Sequence, residues 1–169
     1  GLSTVISAFQ YWWLSQRTAQ KGLVMAHEGD STTALLDMYR RLHDSAPDIV
    51  RPSTKYLSRN ELNFDKLDSG MRVATAGGRG IARGETLTFA HLSEVAFWPV
   101  AFANTNFNGL VQAIPEEDNT FLFLESTAQG VVGKFYEMYQ GAVRRDHLWN
   151  GYEVFFSSWF ETDEYRETA

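Results

Sequence analysis

The first residues of this chain that are suited to chemistry are Gly1, Leu2, Ser3 and Thr4. They match the end of a phosphate-binding loop, where glycine permits a tight turn, backbone N–H groups face phosphate oxygens, and the following helix adds its positive dipole. In the usual G-x-x-x-x-G-K-[ST] pattern the hydroxyl binds Mg²⁺. Ser3 takes that position, and Leu2 replaces the lysine. The alternative is a chain end at which Ser3 or Thr4 caps a helix.

A carboxylate, Glu94, follows the apolar segment 87–92 and Ser93. A glutamate beside the γ-phosphate of a nucleotide can orient or deprotonate the attacking water. The spacing therefore makes Glu94 a candidate catalytic residue. The alternative is that it caps the next turn.

A second polar segment, Glu125-Ser126-Thr127-Ala128-Gln129-Gly130, follows the apolar segment 120–124. Its hydroxyls can sense a γ-phosphate or can cap a helix beginning near Val132. The segment 28–30 follows another apolar run, and there helix capping is the predicted role.

The spacing of apolar residues predicts the elements that position these groups. Helices are predicted at about 4–17, from Asp30 or Ser31 onwards, at 101–113 and at 132–141. Strands are predicted at 22–27, 71–76, 87–92, 120–124 and 152–156, with a loop at 77–84. Residues 47–66 form a surface excursion with one edge strand ending at Phe64. Strands alternating with helices indicate an α/β fold with parallel pairing, in which ligands bind at the carboxyl ends of the strands.

Composition is compatible with one domain in this α/β class. The chain has 169 residues, 44% of them hydrophobic, which is enough to bury about two-thirds of the unfolded surface. No apolar run reaches membrane-spanning length and no signal peptide is visible. The absence of cysteine excludes disulfides and fits a reducing compartment. A net charge of −6 argues against a free-standing basic surface for DNA.

Together these motifs resemble the ATPase domain of the large terminase subunit of tailed bacteriophages, the motor that packages DNA into proheads. The resemblance rests on the order of the segments 1–4, 24–27, 80–86, 91–98 and 125–130, with Phe135-Tyr136, Phe155-Phe156 and Trp159 after them. It implies an ASCE or RecA-like P-loop NTPase fold with a mainly parallel sheet flanked by helices. ATP and Mg²⁺ are the implied substrate and cofactor.

The resemblance also implies a role for each motif. The Walker A residues, expected to bind ATP, are Gly1, Leu2, Ser3 and Thr4, with Ser3 on Mg²⁺. Glu94 matches the catalytic glutamate of Walker B. The motif that couples loss of the γ-phosphate to DNA movement matches Ser126, Thr127, Ala128 and Gly130, and its two hydroxyl residues are also expected at the nucleotide.

Arg83, between Gly80 and Gly84, matches the arginine that family members offer to a bound phosphate, commonly in a neighbouring subunit. Arg79 is a weaker candidate. A solvated loop arginine is the alternative for both.

Two positions depart from the family pattern. Leu2 removes the Walker lysine, and related sequences with an apolar residue there have a basic residue earlier in the loop. Ser93 replaces the Walker B aspartate, so Mg²⁺ would be held through Ser93 and water with less charge compensation than a carboxylate gives.

The resemblance implies a partial ATPase domain at 1–160, lacking the first strand and the start of the loop, and a linker at 161–169 leading to a nuclease domain. The fragment by itself is expected to be inactive. Expected partners of the complete motor are double-stranded DNA, the small terminase subunit, the portal protein and further copies in a ring, in the host cytoplasm and without a membrane. Alternatives are a helicase-like P-loop ATPase or an interaction domain whose ATP site has decayed.

Overall fold

A computed structural model describes residues 1–78, 85–144 and 146–158. The α-helices within these residues are α1 (Leu2–Ser15), α2 (Gly29–Ser45), α3 (Val100–Gln112) and α4 (Lys134–Val143). The strands are β1 (Lys21–Ala26), β2 (Thr54–Leu57), β3 (Glu61–Phe64), β4 (Gly70–Thr75), β5 (Phe89–Leu92) and β6 (Phe121–Leu124). A 3₁₀ turn, Val95–Phe97, follows β5.

The six described strands form one sheet in the order β2-β3-β4-β1-β5-β6. The strands β4, β1, β5 and β6 pair in parallel. The hairpin β2-β3 extends the sheet in antiparallel fashion on the β4 side. Parallel neighbours need long crossovers, which α2 and the hairpin provide between β1 and β4, and α3 provides between β5 and β6. The prediction of an α/β fold with a mainly parallel sheet is confirmed.

Both faces of the sheet are covered by helices, as the alternation along β1 shows. Val24 and Ala26 belong to a buried cluster that includes side chains of α1 and α2. Leu23 and Met25 belong to a second buried cluster, which includes side chains of α3. Successive side chains of a strand point to opposite faces, so β1 contributes side chains to a buried core on each face of the sheet. This accounts for its uninterrupted apolar sequence.

Helix α1 packs closely on β1 because Gly22 has no side chain. A Cβ at Gly22 would lie 2.6 Å from Leu14 Cδ1 and 2.8 Å from Gln10 Nε2. Gln10 is fully buried and donates to the Leu23 carbonyl at 3.4 Å, while it accepts a hydrogen bond from the hydroxyl of buried Tyr39. These bonds join α1, α2 and β1.

Three sequence predictions are wrong in detail. The cap of α2 lies in the segment 28–30, as predicted, but it is Glu28 instead of Asp30 or Ser31, because Glu28 is extended and its carbonyl already accepts the Thr32 amide at 3.0 Å. The excursion at 47–66 holds two strands instead of one, because Ser58 and Asn60 close a turn that folds β2 onto β3.

The third difference concerns residues 152–156, which are not a strand. Phe155 and Phe156 are 75% and 70% exposed, so the aromatic residues that suggested a strand do not pack against the sheet. In the predicted loop 77–84, residues 79–84 lie outside the described part of the chain.

Candidate nucleotide site

The amino-terminal end of α1 presents backbone N–H groups at the start of the chain. Gly1 is the cap residue, and its carbonyl accepts the Thr4 amide at 3.1 Å. Ser3 and Thr4 therefore lie inside the first turn instead of capping it, which contradicts the capping alternative. The first turn contains no acidic residue. Since first-turn amides lack partners within a helix, this end can bind an anion.

The other two side chains at the start of α1 are those of Leu2 and Thr4. Leu2 is 42% exposed, so it is not needed for the core. Thr4 lines a cleft of about 420 Å³ against α2, beside Met38 and Leu42. Thr4 contacts Gly1 through its amide, and among the described residues its side chain forms no hydrogen bond with another candidate residue.

Ser93 and Glu94 follow β5 at its carboxyl end. The Ser93 amide donates to Met25 of β1 at 2.7 Å, and the Ser93 carbonyl accepts the indole N–H of Trp98 at 3.0 Å. Glu94 then has a left-handed backbone, with φ of 53° and ψ of 44°. This conformation is uncommon for a residue with a Cβ, and it turns the chain into the 3₁₀ turn that follows.

Glu94 contacts the coupling-motif candidates across the neighbouring strand end. Its Oε2 accepts the Ser126 hydroxyl at 3.2 Å, and both the amide and the hydroxyl of Thr127 at 3.4 Å. The Ser126 oxygen also accepts the Ala96 amide at 3.2 Å. Ser126 therefore bridges the end of β6 and the turn after β5. Glu94 is only partly buried, which leaves room for solvent at the carboxylate.

A second carboxylate, Glu125, directly follows β6 and precedes Ser126. Its Oε1 is 3.0 Å from Nε2 of His91, whose side chain is fully buried. Burial raises the pKa of Glu125, but the His91 ring and the hydroxyls of Ser3 and Ser93 act on the same carboxylate and hold its pKa below the ordinary value. The pKa of Glu125 is therefore influenced by side chains from the first turn of α1 and from β5.

The remaining coupling-motif residues form an open loop before α4. Thr127, Ala128 and Gly130 are exposed, and Gly130 has a φ of 75°, a value that glycine adopts without strain. The cap of α4 is Gly133. Ser126 and Thr127 therefore do not cap this helix, contrary to the alternative raised from sequence.

The register of β5 and β6 places Ser93 beside Glu125, the Ser3 hydroxyl helps to lower the pKa of Glu125, and hydrogen bonds join Glu94 to Ser126 and Thr127. Arg83 and Arg79 lie outside the described residues. Sequence reasoning missed the roles of Glu125 and His91 in connecting these groups. The signal was present, since both are ionisable residues within or directly after apolar strands.

The oxygen atoms at this site fit Mg²⁺, which prefers hard oxygen ligands and takes few of them from the protein when phosphates supply the rest. The candidate donors are the hydroxyls of Ser3 and Ser93 and the Glu125 carboxylate. Over residues 1–78, 85–144 and 146–158, no group of three or more His, Cys, Asp or Glu side chains is placed to hold a metal. No helix in the same residues has the length and hydropathy needed to cross a membrane.

The chain is similar to two solved phage structures. It matches the large terminase of bacteriophage HK97 with a TM-score of 0.70 and 12% identity, over 88% of this chain and 32% of that one. It matches the large terminase ATPase domain of Thermus phage P74-26 with a TM-score of 0.63 and 22% identity, over 86% of this chain and 62% of that one.

No protein-family model matches the chain, and no curated protein matches it. The chain spans about a third of the HK97 protein and under two-thirds of the P74-26 domain. At these identities the similarity concerns the fold. Over most of its length, the chain has the mixed, mostly parallel α/β fold of phage large terminase ATPase domains.

Proposed function

We propose that this chain is the ATPase core of a viral DNA-packaging terminase large subunit, which hydrolyses Mg-ATP to drive DNA translocation into proheads. The observation that carries the proposal is the contact of Glu94 with Ser126 and Thr127. A glutamate at one strand end is held there by hydroxyl residues from the next strand end, and the amino-terminal end of α1 is suited to binding phosphate.

In this proposal the amino-terminal end of α1 binds the phosphates and Ser3 offers its hydroxyl to Mg²⁺. Magnesium, when bound, supplies positive charge that offsets the charge on the phosphate oxygens. The described hydrogen bonds of Glu94 all reach Oε2, so Oε1 is the oxygen that accepts the proton of the attacking water. General-base catalysis of this kind contributes about 10²–10⁴-fold in rate.

Coupling follows from the position of Ser126. The Ser126 hydroxyl bonds both the Glu94 carboxylate and the Ala96 amide. A movement of Glu94 after hydrolysis therefore alters the hydrogen bond between Ser126 and the 3₁₀ turn. The turn packs against α4, which follows the coupling motif. Movement of Glu94 is therefore transmitted to the loop at 125–130 and to α4, and from there to the parts of the motor that hold DNA.

The remaining roles belong to the complete motor, of which residues 1–160 are the ATPase domain and 161–169 begin a linker to a nuclease domain. Arg83 reaches the ATP of a neighbouring subunit in a homo-oligomeric ring. The ring works on double-stranded DNA with the small terminase subunit and the portal protein in the host cytoplasm. We call this complete subunit the intact protein.

The test is Glu94→Gln in the intact protein, with ATP turnover and nucleotide binding measured on the same sample. Glutamine keeps the size of glutamate but cannot act as a base, so turnover should fall by about 10²–10⁴-fold with binding retained. Glu137→Gln is the matched control, because Glu137 is an exposed carboxylate on α4 that pairs with Lys134.

A loss of turnover of no more than about threefold, well below the range of about 10²–10⁴-fold for a general base, would show that Glu94 is structural. A wild-type protein that binds no nucleotide would favour a decayed ATP site, the alternative to which Leu2 and Ser93 point.

A further inference from the structure

Glu125 occupies a fixed position beside Ser93, where the nucleotide site lacks a carboxylate. The register of β5 and β6 pairs Leu92 with Leu124, so Ser93 and Glu125 are the next residues on neighbouring parallel strands. The Glu125 amide donates to the Leu92 carbonyl at 2.9 Å, and the Glu125 carbonyl accepts the Val95 amide at 3.2 Å. The backbone at Glu125 is therefore held on both sides.

The Glu125 side chain is nearly buried, at 9% exposure. Burying a charge is unfavourable unless it is paired and hydrogen-bonded, and a buried ion pair by itself adds little to stability. His91 engages Oε1, which leaves Oε2 available to another partner. The hydroxyls that act on the same carboxylate are those of Ser3 and Ser93. These hydroxyls come from α1 and from the end of β5, and both are candidate Mg²⁺ ligands.

We propose that Glu125 supplies the metal-side carboxylate of the nucleotide site, in place of the aspartate that Ser93 replaces. The proposal rests on the proposed function and adds a residue to it. Carboxylate oxygens are preferred ligands of Mg²⁺, either directly or through a bound water. The Ser3 hydroxyl oxygen has lone pairs of its own that it can offer to the cation. Glu125, which follows the neighbouring strand, thus supplies the negative charge that an aspartate at position 93 would carry.

His91 is the positioning residue in this arrangement. It lies inside β5 and is fully buried, so its ring cannot turn away into solvent. By bonding Oε1, it leaves Oε2 as the oxygen of Glu125 that can face the metal. Partners of this kind, which orient a ligand without touching the metal, typically change metal affinity by about 10–100-fold when they are removed.

The experiment measures Mn²⁺ binding to the intact protein in complex with a non-hydrolysable ATP analogue, by electron paramagnetic resonance. Manganese is the probe because it is paramagnetic and accepts the oxygen ligands that suit Mg²⁺. Glu125→Gln should weaken Mn²⁺ binding by about 10–100-fold. Binding of the analogue in the presence of a chelator should not change. Glu137→Gln, at an exposed carboxylate on α4, is the matched control and should leave the Mn²⁺ affinity close to that of the wild type.

A second pair of variants protects the test against misfolding. Glu125→Asp keeps the charge but shortens the side chain, so it should weaken Mn²⁺ binding while the protein remains folded by circular dichroism. Ser93→Asp, added to Glu125→Gln, returns a carboxylate to the same site and should restore Mn²⁺ affinity.

Wild-type Mn²⁺ affinity in a folded Glu125→Gln or Glu125→Asp protein would overturn this proposal, and so would a Ser93→Asp change that restores nothing. Either result would leave the proposed ATPase intact, because the analogue would still bind. A wild-type protein that binds neither the analogue nor Mn²⁺ would instead overturn the proposed function, and the metal role of Glu125 with it.

Discussion

Ser126 donates its hydroxyl to Glu94 Oε2 at 3.2 Å while its oxygen accepts the Ala96 amide at the same distance. One hydroxyl thus ties a carboxylate after β5 to the loop after β6. Thr127 holds the same carboxylate oxygen with its amide and its hydroxyl, both at 3.4 Å. The two neighbouring residues therefore support Glu94 in different ways, and substitution can separate them.

Ser126→Ala should lower ATP turnover more than Thr127→Ala in the intact protein. The alanine at 126 removes the bridge and leaves the Ala96 amide without its acceptor, whereas Thr127→Ala keeps the backbone contact to Glu94. A small misplacement of a reacting group costs up to about 10²-fold in rate, so a loss of about 10-fold or more is expected for Ser126→Ala. Steady-state ATPase assays of the two variants show which substitution lowers turnover more. Thr127→Ser is the control that keeps the hydroxyl. Equal losses of turnover in Ser126→Ala and Thr127→Ala would contradict a special role for the Ser126 bridge between Glu94 and Ala96.

Arg83→Ala should remove the stimulation of ATP turnover that accompanies ring assembly but leave ATP binding by single subunits unchanged. An arginine supplied by a neighbour stabilises charge only in the assembled state, where such residues are worth about 10³–10⁵-fold. The measurement is turnover in a mixture of Arg83→Ala and Glu94→Gln proteins, each inactive alone. Some subunits then have an intact Glu94 and receive an intact Arg83, so activity should return.

Arg79→Ala serves as the control in the same assay, since it is the weaker candidate for this role. A mixture that stays inactive, under conditions in which the wild type assembles, would show that Arg83 acts within its own subunit or only supports its loop.

Tyr39→Phe should lower the free energy of unfolding by about 1–3 kcal/mol, the cost of leaving a buried polar group unsatisfied. The Tyr39 hydroxyl is buried and donates to the Gln10 side-chain oxygen, which would lose that donor. Urea denaturation provides the measurement. Adding Gln10→Leu removes the stranded acceptor and should recover part of the loss. If the double variant loses more free energy of unfolding than the two single variants lose in sum, the hydrogen bond does not account for the loss.

Stability should depend on the protonation of His43 at mildly acidic pH. Partial burial lowers the pKa of His43 below the ordinary 6.5, with Asp44 opposing the effect and Arg51 adding to it. The unfolded chain therefore binds the proton more readily than the folded one. This contribution to stability is complete above pH 6.5 and is lost as the pH falls through the lower folded value.

Protonation also makes a donor of His43 Nδ1, which lies 3.1 Å from the Tyr11 hydroxyl. Denaturation curves at pH 7.5 and 5.5, in the range where histidine titrates, should show a smaller drop for His43→Gln than for the wild type. The difference should be small because the side chain is partly exposed. Identical drops in the two proteins would assign the pH dependence to other groups.

Much of the fold could be predicted because apolar spacing is a local signal. The central strands were found within two residues of their bounds, since β1, β5 and β6 are short apolar runs. The strand β2 was missed because its residues gain strand structure only by pairing with β3. The aromatic residues at 155 and 156 were misread because a short alternating pattern does not show whether a sheet is there to receive it.

The candidate site, like the fold, could be predicted only in part from the sequence. The rule that parallel strands bring their carboxyl ends together led to Glu94 and Ser126, which are in contact. It did not lead to the role of Glu125, because one carboxylate at a strand end has the same local sequence whether it caps a helix or faces a ligand. Only the register of β5 with β6 places it beside Ser93.

The left-handed backbone at Glu94 means that stability and the proposed ATP hydrolysis favour different residues at this position. That conformation costs an L-residue about 1–2 kcal/mol, whereas glycine adopts it freely. Glycine would relieve the strain and remove the proposed base in the same step. Laboratory evolution for thermal resistance alone would therefore drift toward an inactive protein here, and glutamate would persist only while ATP turnover is itself selected.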